Sequence, residues 1–135
     1  MAAINRAVAA LRIIGDELNP SEITRLLGAE PTYSHSKGDV LQRPKGRVAK
    51  FGMWRLEAAS LEPSEFNDQV ASLLAQVTQD LHVWVALSEK YDISLFCGWL
   101  MRESNEGEDL TPATLVALGT RGISLGLDIY APDIE

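Results

Sequence analysis

Two segments of the chain repeat one another at a displacement of 92 residues. Asp16-Glu17-Leu18-Asn19-Pro20, followed by Ile23 and Leu26, matches Glu108-Asp109-Leu110-Thr111-Pro112, followed by Leu115 and Leu118. Each copy has the chemistry of a helix start: Asn19 or Thr111 as N-cap, proline at the first helical position, and acids near the positive end of the helix dipole. Local capping preferences account for the cap and the proline. They do not account for the matching apolar positions, or for the strand-like segment that precedes each copy and the one that follows it.

Those flanking segments complete the pattern. Residues 7–14 form an apolar run with β-branched members, and Trp54, Leu56 and Ala58 alternate with Arg55 and Glu57 in residues 51–58. Residues 93–101 are the most apolar strand, and Ile123, Leu125, Leu127 and Ile129 alternate with polar or small partners, which predicts one buried face. Between the halves, Phe66, Val70, Leu73, Leu74, Val77, Leu81 and Trp84 recur at helical steps within residues 64–91. Thr78 and Asp80 interrupt that stretch as candidate caps, so one long helix or a bent pair fits it equally well. The order β-α-β, long helix, β-α-β predicts an α+β domain. Its expected core is a four-stranded, largely antiparallel sheet with pseudo-duplicated, ferredoxin-like halves joined by the long helical insertion.

Composition supports a single domain over residues 1–135. A chain of this length has room for one core, and 46% hydrophobic residues supply it without disulfides or metal. Twelve lysines and arginines against 19 carboxylates give a net charge of −7, whose field repels nucleic acid and anionic membranes. Cys97 is the only cysteine, so no intramolecular disulfide forms, which points to a reducing compartment. No apolar run approaches the roughly 20 residues of a membrane span. Arg6 and Arg12 interrupt the alanine-rich start, which therefore does not read as a signal peptide. The expectation is a cytoplasmic protein.

Several segments together resemble a known family. They are residues 15–24 (Gly-Asp-Glu-Leu-Asn-Pro-Ser-Glu-Ile-Thr), Leu27-Gly28, Pro31-Thr32, Lys37-Gly38-Asp39, residues 52–57 (Gly-Met-Trp-Arg-Leu-Glu) and Asp128-Ile129-Tyr130. In that order, over essentially the whole chain, they resemble the bacterial domain-of-unknown-function 4279 family. The helix start Phe66-Asn67-Asp68-Gln69 departs from the family pattern. The resemblance bears on fold and compartment and transfers no catalytic residue.

Residues 32–50 concentrate positive charge: Lys37, Arg43, Lys45, Arg47 and Lys50 stand against Asp39 alone. Gly38 and Gly46 would let backbone N–H groups approach an anion, with Tyr33 and His35 adding orientation. The alternative is a solvated loop whose charges pair with the acidic body. No phosphate-binding or dinucleotide fingerprint is present. Glu103, Glu106, Glu108 and Asp109 lack the ligand order of a calcium loop and read as a solvated turn before a helix. Cys97 reads as a buried small hydrophobe, Trp54 and Trp99 as core, and His82 has no metal-ligand spacing to any partner. Ser34, His35 and Asp39 are neighbours on one loop, a poor basis for a triad. No catalytic residue, metal ligand or cofactor is therefore assigned.

The alternation of residues 93–101 also sets Ser94, Phe96, Gly98 and Leu100 on a second face, joined by Gly126 and Tyr130. Such a face should be covered, most economically by the long helix, otherwise by a second copy in a homodimer or by a ligand. The expected function is a non-catalytic binding module that recognises a protein partner or an anionic small ligand through residues 32–50. Its rivals are a toxin-neutralising, immunity-type inhibitor acting through the acidic surface, and a small enzyme using His35 and Asp39.

Overall fold

The computed structural model describes residues 6–42, 44–58, 65–101 and 107–130. In chain order the elements are β1 (Arg6–Gly15), α1 (Pro20–Leu27), β2 (Tyr33–His35), β3 (Val40–Gln42), β4 (Lys45–Val48), β5 (Gly52–Glu57), α2 (Phe66–Ala75), α3 (Leu81–Lys90), β6 (Asp92–Leu100), α4 (Pro112–Thr120) and β7 (Ser124–Tyr130). Five strands form one sheet in the order β2-β5-β1-β6-β7, and β3 with β4 forms a separate two-stranded sheet. Every pairing is antiparallel except β6 with β7.

Alternation in the central strands decides which face is buried. Ala9, Leu11 and Ile13 of β1, Trp54 and Leu56 of β5, and Ile93, Leu95, Cys97 and Trp99 of β6 all point to one side and are buried. Against them pack Ile23 and Leu27 of α1, Phe66, Val70 and Leu73 of α2, Trp84 and Leu87 of α3, and Leu118 of α4. All four helices thus lie on a single face. At ~1.5–3 kcal/mol for each large apolar side chain fully buried, this layer is the main source of stability.

The helix boundaries follow local chemistry. The Asn19 carboxamide accepts from the Ser21 N–H at 3.0 Å, and Gly28 ends α1. The long helical pattern is a bent pair. The Asp80 carboxylate accepts from the His82 N–H at 3.0 Å and so starts α3 afresh. The Gln79 amide donates to the carbonyls of Leu74 and Val77, both at 2.8 Å, and fills the break. Residue 64, at the start of the predicted helical stretch, lies outside the described residues. Thr111 caps α4 by accepting from the Thr114 N–H at 3.2 Å.

Four expectations need correction. The sheet has five strands rather than four, because β2 forms inside the polar stretch and pairs with β5. The two halves are not equivalent: β1 and β5 are antiparallel neighbours, whereas β6 and β7 are parallel neighbours. Their helices also differ in phase, since α1 buries Ile23 and Leu27 while α4 buries Thr114 and Leu118, 91 residues on, and leaves Leu115 54% exposed. The ferredoxin-like duplication therefore does not carry from the capping motifs into the topology. In β7, Leu127 and Ile129 are exposed, because an edge strand has a neighbour on one side only. Finally, the long helical segment does not cover Phe96 and Gly98; both of its helices pack on the Leu95 side.

Candidate functional site

The uncovered face is read from the strand register. Tyr33 pairs with Arg55, Arg55 with Arg12, and Arg12 with Ser94, so these side chains lie in one row across the outer surface. His35, Met53 and Ile14 form the next row on one side, and Glu57, Ala10, Phe96 and Gly126 the next on the other. The row centred on Arg55 and Arg12 puts two guanidinium groups on adjacent strands. The Arg12 guanidinium lies 4.5 Å from the centroid of the Phe96 ring, and that of Arg55 5.2 Å from the centroid of Tyr33. Arg55 also reaches Glu57, with Nη2 at 3.3 Å from Oε1. Arg12 has no ion-pair or hydrogen-bond partner among the described residues.

The hairpin of β3 and β4 stands beside this face. Its base is closed by two backbone bonds, Gly38 N–H to the Ala49 carbonyl and Ala49 N–H to the Asp39 carbonyl, both 2.8 Å. The positive φ of Gly38 and of Gly46 (94° and 81°) allows the chain to turn into the hairpin and again within it. A cavity of about 570 Å³ opens between hairpin and sheet, lined by Tyr33, His35, Leu41, Gln42, Phe51, Met53 and Arg55. Its rings touch without stacking flat: Tyr33 and His35 are 5.5 Å apart at 73°, His35 and Phe51 6.1 Å apart at 48°. His35, Leu41 and Phe51 also line a second hollow of about 270 Å³, which Arg47 and Lys50 border.

The residues singled out in the sequence separate into three groups. Tyr33 and His35 line the larger cavity. Lys45, Arg47 and Lys50 are exposed on the hairpin or at its end and have no carboxylate within ion-pair distance among the described residues. Lys37 and Asp39 have local duties instead. Lys37 Nζ sits 3.0 Å from Asp16, and its hydrogen bond holds the Asp16 carboxyl below the usual carboxylate range and raises the lysine. The Asp39 carboxylate accepts from the Ser36 N–H at 2.8 Å and shapes the turn. Arg43 lies outside the described residues. No hydrogen bond joins His35 to Asp39 among the described residues.

Elsewhere, Glu103 and Glu106 of the acidic loop lie outside the described residues. Glu108 is partly buried, and that burial raises its carboxyl pKa. Cys97 is buried in the core. No helix among the described residues is long and apolar enough to cross a membrane.

Arg12 and Arg55 are the site residues that sequence reasoning missed. The available signal was an arginine in the middle of each of two strand-forming runs, in both cases out of phase with the buried apolar positions.

Residues 4–132 match the family described as a domain of unknown function, DUF4279, and the chain belongs to that family, in agreement with the resemblance drawn from its sequence. No curated protein and no solved structure matches the chain.

Proposed function

We propose that this protein is a non-catalytic binding module that takes a small anionic ligand between the β3–β4 hairpin and the open face of the sheet. The observation that carries the proposal is the Arg12–Arg55 pair. Like charges facing one another across strands are unfavourable, and Arg12 has no carboxylate to offset the repulsion. A bound anion supplies that missing partner. Lys45, Arg47 and Lys50 then add a positive rim to an otherwise acidic molecule and steer the anion toward the groove. The buried single cysteine fits a reducing, cytoplasmic setting.

Calorimetric titration of inorganic pyrophosphate into the full chain at low salt tests this reading. Binding is expected in the wild type, weakened at least tenfold in Arg12→Gln and progressively reduced by added salt. No binding, or equal binding by Arg12→Gln, overturns the proposal. If a second copy occupies this face instead, sedimentation gives a dimer that Arg12→Gln dissociates, and pyrophosphate does not bind.

A further inference from the structure

We infer, resting on that reading, that the ligand is a phosphomonoester carried on a planar ring, of the size of a nucleoside monophosphate. The cavity of about 570 Å³ lies in the range of sites that hold a whole small organic molecule, roughly 300–1,000 Å³, rather than a bare inorganic ion. Its wall is largely aromatic and apolar, with Tyr33, His35, Phe51, Leu41 and Met53. The three rings meet at steep angles, so none is fully covered by its neighbour and a flat guest can lie against them. The Gln42 carboxamide at the same wall offers both a donor and an acceptor to a ring edge.

The head group follows from the arginines. Arg55 closes the groove on the sheet side and Arg12 is its neighbour one strand further in. Each guanidinium is held against an aromatic ring, so its direction is set before any ligand arrives. A carboxylate, with two oxygens, saturates one guanidinium fork; a phosphate has three oxygens and can engage two. Polar atoms without partners belong to these two arginines and to His35 of the cavity wall. Among the described residues, five buried side-chain polar atoms have no hydrogen-bond partner, and three of them are Arg12 Nε, Arg55 Nε and His35 Nδ1. Trp99 Nε1, on the helix side, and Arg121 Nε are the others. The net charge of −7 opposes a polynucleotide and favours a single small ligand held by a local positive site.

The test is calorimetry on the full chain with adenosine 5′-monophosphate, ribose 5-phosphate and adenosine. The monophosphate is expected to bind at least tenfold more tightly than either fragment. Phe51→Ala should remove most of that advantage, and Phe51→Leu only part of it; Phe51 is 39% exposed, so neither change threatens folding. Arg12→Gln should weaken both phosphate probes. If adenosine monophosphate binds no better than ribose 5-phosphate while pyrophosphate still binds, the ring inference fails and the anion-binding proposal stands. If none of these probes binds, both fail.

Discussion

The two faces of the sheet are built from alternate residues of the same strands, yet they differ in almost every property. On the helix side, Ala9, Leu11, Ile13, Trp54, Leu95 and Cys97 are all at 0% exposure. On the other side, Arg12, Arg55, Met53 and Phe96 stay half-buried and no helix among the described residues lies over them. Parallel strand pairs are ordinarily covered on both faces, so an open outer surface over β6 and β7 is unusual for that pairing. Rings flank the two glycines of this surface: Tyr130 lies 3.9 Å from where a Cβ on Gly98 would sit, and Phe96 3.7 Å from that of Gly126, both at ordinary contact distance. The Tyr130 hydroxyl donates to Asp128 at 2.6 Å, which raises its pKa. The contrast separates two tasks. One face holds the fold together, and the other is the one to which the proposed ligand site is assigned.

The sharpest way to break this contrast is to remove one aromatic side chain from each face. Trp54→Ala deletes a fully buried indole and its hydrogen bond to Thr24 Oγ1 at 3.0 Å, and is expected to cost about 3–5 kcal/mol. Phe96→Ala removes a half-buried ring and the seat of Arg12, and is expected to cost about 1 kcal/mol. Urea unfolding at pH 7 measures both. Equal losses would mean that the outer face is as structural as the inner one.

The covered face was also the legible one. Strands β1 and β6 follow from apolar runs and β5 from alternation, and the Asn19, Asp80 and Thr111 caps locate three helix starts. The outer face was not legible, because its members meet only through register. Nothing near Arg12 in sequence announces Arg55, which lies 43 residues away and becomes its neighbour through the β1–β5 ladder. Strands β2, β3 and β4 escaped notice for a related reason. Each is three or four residues long, contains no buried residue, and is held by backbone bonds that leave no hydrophobic signature. Of the site itself, Tyr33 and His35 were found because they sit within the charged stretch, while Phe51 looked like the start of a core strand.

A second, smaller effect tests how the covered face is sealed at its polar points. Gln69 is buried, and its side-chain oxygen accepts from the Ala9 N–H at 2.9 Å, tying α2 to β1. Gln69→Leu keeps the bulk but leaves that amide without its acceptor, at an expected cost of about 1–3 kcal/mol. Hydrogen exchange should show the Ala9 amide losing protection before its neighbours on β1. Unchanged exchange at Ala9 would mean that the amide finds another acceptor and that packing alone holds α2 in place.

The smallest expected effect concerns the basic residue that turns away from the outer face. Lys37 and Asp16 are both largely exposed, so their ion pair adds little to stability. The signs still make a distinct prediction. Asp16 titrates below its ordinary 3.8 in the fold, so its contribution is present above that value and disappears as pH falls through the lower folded pKa. Lys37 titrates above 10.5, so the same pair weakens again only as pH rises beyond that value. Wild type and Asp16→Asn should therefore differ slightly and constantly in unfolding midpoint across neutral pH, and converge in acid. Lys37→Gln should reduce pyrophosphate binding far less than Arg12→Gln does. An equal reduction would extend the recognition surface to the whole basic stretch and end its confinement to the groove, because the Asp16 pairing would then be too weak to keep Lys37 from the ligand.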